Sequence, residues 1–90
     1  MTPPYAVRLS HSASAYLRRL SPAARARIVA QLTEVAAAPF DPRHAKQLQG
    51  GTGDRSARVG ALRIIFTVEI ELREIQVSRI GPRGQIYRDR

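Results

Sequence analysis

The chain has 90 residues, enough for one modest hydrophobic core and too few for a separate cofactor domain. Fifteen basic and seven acidic residues give a net charge of +8, and every basic residue except Lys46 is an arginine. Because the arginine fork binds phosphate oxygens in pairs, this composition predicts a polyanion or an acidic protein as partner. The lack of cysteine excludes a disulfide framework. Since the apolar runs are too short to span a bilayer, we expect no membrane contact and a cytoplasmic location.

The first predicted elements are a strand and a short helix. Tyr5, Val7 and Leu9 alternate with other residues at the period of two that is typical of a strand. Several serines that could cap a helix follow, and apolar side chains then recur at the helical period of 3.6 residues up to Leu20.

A second helix is predicted from Pro22 to about Ala38. Ser21 can cap the free amides, and proline suits the first helical position. Its apolar stripe consists of Ile28, Val29, Leu32, Val35 and Ala36. Prolines at positions 39 and 42 end the helix, so the two helices are expected to form an antiparallel hairpin.

Three strands are predicted after a glycine-rich loop, over residues 57–59, 62–70 and 72–80, because these runs are rich in Ile and Val. The short turns between them favour sequential, antiparallel pairing. In the middle strand, Ile64, Phe66 and Val68 should face the helices, and Arg63 should lie on the opposite face with Ile65 and Thr67. The prediction is a single α+β domain over residues 1–90, in the order β-α-α-β-β-β, with an antiparallel sheet packed on a helical hairpin.

Arginines recur within and after these strands. A fully buried, unpaired arginine is very costly, so Arg58, Arg63 and Arg83 are expected on an open sheet face where a phosphate supplies the missing charge. Arginines on adjacent strands can converge on one phosphate and neutralise the charge of a pentacoordinate intermediate. Tyr87 is a candidate base, because neighbouring guanidinium groups favour its phenolate. Such a site could cleave RNA without a metal, with the ribose 2′-hydroxyl as internal nucleophile. The candidate catalytic residues are Arg58, Arg63, Arg83 and Tyr87, and the candidate RNA-binding residues are Lys46, Arg55, Arg79 and Arg88.

The remaining titratable residues do not form a recognisable catalytic set. His11 and His44 lie in different elements and lack the spacing of a zinc site, so each is interpreted as a surface histidine. Glu69, Glu71 and Glu74 cluster at a predicted turn and are interpreted as a solvated tip. We expect neither a metal nor a cofactor.

The order of the predicted elements and three sequence motifs together indicate a family resemblance. The motifs are Lys-Gln-Leu-Gln-Gly at 46–50, Arg-Val-Gly-Ala-Leu-Arg-Ile-Ile-Phe at 58–66 and Gly-Pro-Arg-Gly-Gln-Ile-Tyr at 81–87. Over nearly the whole chain, the sequence resembles the RelE/ParE superfamily of type II toxin–antitoxin toxins, and within it the RelE branch. The resemblance implies an endoribonuclease that cuts messenger RNA in the ribosomal A site and inhibits translation. It also implies an acidic RelB-like antitoxin that holds the toxin in a hetero-oligomer.

By the same resemblance, Arg63 stabilises the phosphorane, Arg83 assists the leaving 5′-oxygen, Tyr87 is the base or orients the nucleophile, and Arg58 helps to activate it. The sequence departs from the family at Ser56, where a basic residue is frequent. Either the site then has one cation fewer and a lower rate, or a neighbouring Arg55 or Lys46 supplies the charge.

Two alternative functions stay open. The ParE branch shares the fold but poisons DNA gyrase, and it generally lacks this set of arginines and tyrosine. A basic domain of this size could also bind nucleic acid without cutting it.

Overall fold

The computed structural model describes residues 3–48 and 53–82. The elements are β1 (Ala6–Leu9), α1 (His11–Arg19), α2 (Pro22–Ala37), β2 (Lys46–Gln47), β3 (Arg55–Val59), β4 (Leu62–Glu69) and β5 (Glu74–Pro82). The predicted site residues Arg83, Tyr87 and Arg88 lie outside the described residues.

The helix α2 begins where the sequence predicts, and α1 is capped by Ser10, one of the several serines that could cap it. The Oγ of Ser10 accepts a hydrogen bond from the Ala13 amide at 3.0 Å, and the Oγ of Ser21 accepts one from the Ala24 amide at 3.2 Å. At the end of α1, Arg25 of α2 donates to the carbonyl oxygens of Leu17, Arg18 and Leu20 at 3.0–3.3 Å. Arg25 thus hydrogen-bonds carbonyls at the C-terminal end of α1, where the Leu17 carbonyl also accepts from the Leu20 amide, and fixes that end of α1 against α2. Neither helix of the described ranges is long and apolar enough to cross a membrane.

The sheet has the strand order β1-β5-β4-β3-β2. The strands β3, β4 and β5 are antiparallel, as predicted. The sheet as a whole is mixed rather than antiparallel, because β1 lies parallel to β5 at one edge. At the other edge the two-residue strand β2 pairs with β3; it was not predicted, since two residues are too short to show a period. The α+β class and the predicted order of the longer elements are confirmed.

The core lies between the helices and one face of the sheet. Ile28 and Val35 of α2 are fully buried in the cluster that contains Ile64 and Phe66 of β4, so the predicted facing of the middle strand is confirmed. Val29 is the exception in the predicted stripe of α2, since 48% of its surface is exposed.

A shift in register between β4 and β5 interrupts the period of two. Ile64 pairs with Ile80 and Phe66 with Val77, so the two β5 residues share the core face although three positions separate them. The Oγ of Ser78, at the shift, donates to the Ile65 carbonyl oxygen at 3.2 Å.

Candidate nucleic-acid interface

Four cationic residues line one concave site at the β2 edge of the sheet. This basic pocket has a volume of about 240 Å³, and its cationic lining residues are Arg43, Lys46, Arg58 and Arg63. The rest of the lining is Gln31, Pro42, His44, Ala45 and Ser56. Since none of these described lining residues is a carboxylate, the pocket favours an anion.

Strand register brings these residues together. Arg58 of β3 lies directly opposite Arg63 of β4, and Lys46 of β2 lies directly opposite Ser56 of β3. The Nη1 of Arg63 donates a hydrogen bond to the Oγ of Ser56 at 3.0 Å. Three adjacent strands therefore direct Lys46, Ser56, Arg58 and Arg63 toward a single site.

Arg63 differs from the expectation of an open sheet face. It is only 7% exposed, whereas Arg58 is exposed. The guanidinium of Arg63 hydrogen-bonds to Ser56, and the segment at 42–46 forms a wall of the pocket beside it. Arg63 is thus held by the protein before any ligand binds, and Arg58 remains accessible.

Hydrogen bonds fix the wall formed by the segment after α2. Arg43 donates to both carboxylate oxygens of Asp41, with the Nη2–Oδ2 contact at 2.7 Å, and this hydrogen-bonded pair lowers the pKa of Asp41 to about 2. The Nε2 of Gln31 donates to the His44 backbone carbonyl at 3.0 Å, which fastens the wall to α2. The Nε2 of His44 lies 3.4 Å from Oε1 of Glu34.

Sequence reasoning missed Gln31, Arg43 and His44 as lining residues. Arg43 and His44 reach the pocket because the segment after α2 folds back along the sheet edge, and Gln31 reaches it from α2, where it hydrogen-bonds to the His44 carbonyl. Sequence periodicity does not encode that path. His44, interpreted as a surface histidine, is partly buried in this wall. The one local signal was the Asp-x-Arg spacing at 41–43, which is typical of a turn with a side-chain cap.

Two predicted RNA-binding residues do not line the basic pocket. Arg55 pairs with Phe66 in the β3–β4 register and therefore lies on the helix side of the sheet, where its Cζ is 5.3 Å from the ring centre of Phe40. Arg79 of β5 lies opposite Ile65, outside the lining of the pocket. Of the two residues considered as replacements for the family cation at Ser56, Lys46 reaches the pocket and Arg55 does not.

The three glutamates of the predicted acidic tip differ in their surroundings: two are exposed to solvent and one forms an ion pair. Glu69 and Glu71 are exposed at the β4–β5 turn. Glu74 accepts a hydrogen bond from the Nε of Arg8 at 2.7 Å, which lowers the pKa of this carboxyl group. Among residues 3–48 and 53–82, no group of three or more His, Cys, Asp or Glu side chains could hold a metal ion.

A second concave surface lies on the other side of the molecule, between the edge strand β1 and the helices. This apolar groove has a volume of about 390 Å³. Its lining is Pro4, Tyr5, Val7, Leu9, Leu17, Val29, Leu32, Thr33 and Ala36. Val7 and Val29 are 38% and 48% exposed, which leaves apolar surface in contact with water at a free sheet edge.

Comparison with solved structures identifies the fold. A chain of the RelBE2 toxin–antitoxin complex from Mycobacterium tuberculosis is 27% identical, with a TM-score of 0.75 over 90% of this chain and 100% of that chain. The archaeal RelE–RelB complex from Pyrococcus horikoshii is 22% identical, with a TM-score of 0.78 over 92% and 99%. The isolated E. coli RelE toxin is 20% identical, with a TM-score of 0.77 over 94% and 93%. No curated protein matches the chain.

The fold is therefore that of the RelE toxins, and the sequence supports the same superfamily. The family model described as ParE toxin of type II toxin–antitoxin system, parDE, matches residues 7–87. The chain belongs to this family and is a type II toxin of the RelE/ParE superfamily. The resemblance inferred from the sequence motifs is confirmed at that level.

Proposed function

We propose that this toxin is a metal-independent endoribonuclease that cuts messenger RNA on the ribosome and so inhibits translation. The observation that carries the proposal is the placement of Arg58 and Arg63 directly opposite each other in one pocket with Lys46. Like charges at directly opposite sheet positions destabilise a fold. A bound phosphate offsets that repulsion. The extra negative charge that develops on the phosphate oxygens during cleavage strengthens their attraction to the two guanidinium groups.

In the proposed reaction the ribose 2′-oxygen attacks the adjacent phosphorus in line with the leaving 5′-oxygen. The 2′-proton goes to a base, the P–O5′ bond breaks, and the products carry a 2′,3′-cyclic phosphate and a 5′-hydroxyl. Arg63 is assigned to the phosphorane oxygens and Arg58 to the nucleophile side. Lys46, opposite Ser56, supplies the cation that is frequent at that position in the family. The roles of base for Tyr87 and of leaving-group donor for Arg83 rest on the family resemblance.

A single 2′-deoxy substitution in the message tests the reaction. The modified sugar, placed just 5′ of the cut, removes the nucleophile and leaves the phosphates unchanged. We expect programmed ribosomes that carry this message to bind the toxin almost normally and to keep the message intact. Cleavage at the modified position would contradict the in-line mechanism. Binding without cleavage of the unmodified message would instead favour a non-catalytic nucleic-acid-binding domain.

Inhibition of DNA gyrase is the second candidate, because the matching family model is that of the ParE toxins. A purified toxin that leaves translated messages whole but traps gyrase on cleaved DNA would establish this alternative. The two functions also differ in cells, since the first stops translation with cut messages and the second damages DNA with intact messages.

We further propose that an acidic, RelB-like antitoxin holds this toxin in a cytoplasmic hetero-oligomer. The structures of similar fold include RelE–RelB complexes. An amphipathic antitoxin segment could bury its apolar side in the apolar groove, while its acidic side offsets the net charge of +8. The same antitoxin is expected to cover or displace residues 81–90. If the acidic product of the neighbouring reading frame neither binds the toxin nor restores growth, this partner assignment is wrong.

A further inference from the structure

Phe40 is placed unusually for an aromatic side chain of this protein. Among the Phe and Tyr residues of the described ranges it is the most exposed, with 51% of its surface accessible, whereas Tyr5 and Tyr16 are half-buried and Phe66 is buried. The preceding Pro39 is buried, so the backbone beside the exposed ring is anchored. Asp41 then donates its amide to the Ala38 carbonyl at 3.2 Å, which closes the turn that carries the ring.

The guanidinium of Arg55 covers one side of this ring. Its Cζ lies 5.3 Å from the ring centre, within the ~6 Å at which a cation is attracted to an aromatic face. The Nε of Arg55 is buried and makes no hydrogen bond in the described part of the chain. The ring therefore positions this guanidinium, and the remaining surface of the ring is left to solvent.

Phe40 and Arg55 lie beside the basic pocket, because the two chain segments that carry them also contribute residues to its lining. Pro42 and Arg43, which closely follow Phe40, line the pocket, and so does Ser56, the neighbour of Arg55 in β3. Successive β3 side chains point to opposite faces, so Arg55 and Ser56 lie on opposite faces of the sheet, both next to the edge strand β2 that pairs with them. Because β2 is only two residues long, an RNA strand with a phosphate in the pocket can pass around this edge and present a neighbouring base to the ring.

We propose that Phe40, backed by Arg55, is a stacking subsite for an unpaired nucleobase of the RNA whose phosphate occupies the basic pocket. This inference rests on the proposed ribonuclease function. Bases of single-stranded RNA stack on aromatic rings and on guanidinium planes, and such stacking tolerates any base because each has a π face. The subsite holds the strand in place, and the arginines of the pocket act on the phosphate.

The test uses ribosomes programmed with a message that carries the non-cleavable 2′-deoxy sugar and 2-aminopurine at successive positions. The fluorescence of 2-aminopurine falls when the base stacks. We expect wild-type toxin to quench it at one position, Phe40→Leu to abolish that quenching, and Phe40→Trp to retain it. Phe40→Leu should bind roughly 5- to 150-fold more weakly, the usual range for loss of one base–aromatic stack. Leu72→Ala, which changes an exposed residue at the β4–β5 turn, is the matched control and should bind as wild type does.

An abasic site at the position of quenching, combined with Phe40→Leu, gives a double-mutant cycle between the base and the ring. It should weaken the wild type by the same factor as Phe40→Leu and should weaken Phe40→Leu no further, because base and ring act as a pair. Quenching that survives in Phe40→Leu, or equal losses from the abasic site in both proteins, overturns the subsite. If the wild type cuts unmodified message in that case, the ribonuclease proposal stands without it. If the wild type neither binds nor cuts, both proposals fail.

Discussion

The basic pocket and the apolar groove are built in different ways from the same small core. The groove lies between a strand and two helices whose apolar residues follow regular periods, and Leu32 serves both the core and the groove lining. The pocket depends on long-range register, because Arg58 and Arg63 meet only when β3 and β4 pair in one alignment. The apolar residues of the groove are therefore recognisable from local periods, whereas the residues of the pocket come together only in the assembled sheet.

The largest predicted effect is on the pocket. Arg63→Ala should lower the rate of message cleavage roughly 100- to 1000-fold, the usual cost of one transition-state donor. Single-turnover cleavage on programmed ribosomes measures this rate. Because Arg63 is 7% exposed, each variant should first be shown to be folded by its thermal unfolding. From the sequence alone, Arg83→Ala is expected to have an effect of the same size.

Arg63→Lys is the control that separates charge from geometry. It keeps a cation but loses the fork that reaches both Ser56 and a phosphate, so it should recover only part of the lost rate. Cleavage at the wild-type rate by folded Arg63→Ala would remove Arg63 from the mechanism.

The next largest predicted effect is a loss of antitoxin affinity from a substitution in the apolar groove, with message cleavage in the basic pocket unchanged. Val29→Glu places a carboxylate on a 48% exposed position of the groove, where it repels an acidic partner and cannot be desolvated cheaply. Loss of one well-packed contact of this kind typically costs about 2 kcal/mol, or roughly 30-fold in affinity. Titration calorimetry with the co-expressed antitoxin measures the change.

Leu72→Glu is the matched control for the groove. It adds the same charge at an exposed apolar residue of the β4–β5 turn and should leave antitoxin affinity unchanged. Val29→Glu should still cleave message at the wild-type rate. Equal loss of antitoxin binding in both variants would show that added negative charge, rather than the groove, is responsible.

Prediction from sequence succeeded where the period of a single element decides the outcome. The cap at Ser21 and the shared face of Ile64 and Phe66 follow from local rules, whereas for α1 the local rules left several serines as possible caps. It failed for the parallel pairing of β1, since no local signal gives the direction of strands distant in sequence. For the same reason Arg43 was missed: it lines the pocket only because its segment folds back on the sheet edge.

A smaller effect concerns stability and comes from the opposed arginines. Arg58→Glu should raise the free energy of unfolding by ~0.2–1 kcal/mol, because it replaces a repulsive cross-strand pair with an attractive one. The same change should lower cleavage, so stability and activity move in opposite directions. Thermal unfolding measures the first effect.

Arg19→Glu is the control for net charge. Arg19 lies in the last turn of α1, where the helix dipole favours a cation, so this variant should be no more stable than the wild type. An equal gain in both variants would assign the effect to the lower net charge of the protein. Repulsion between Arg58 and Arg63 would then not destabilise the fold, and a bound phosphate would have no such repulsion to offset.

The smallest predicted effect is the acid response of the pocket wall. The hydrogen bonds from Arg43 lower the pKa of Asp41 from 3.8 to about 2. A depressed carboxyl pKa contributes stability that is fully present above the unfolded value and is lost as the pH falls through the folded value. The contribution of this pair should therefore persist at neutral pH and disappear between about pH 4 and pH 2. At pH 3 the ¹³C carboxyl shift of Asp41 should still report the ionised form in wild type. In Arg43→Gln it should report a larger protonated fraction than in wild type, because the charged donor is gone while the backbone amide of residue 43 still donates to Oδ1. If the two proteins give the same shift at pH 3, Arg43 does not hold Asp41, and the wall of the basic pocket is looser than this structure indicates.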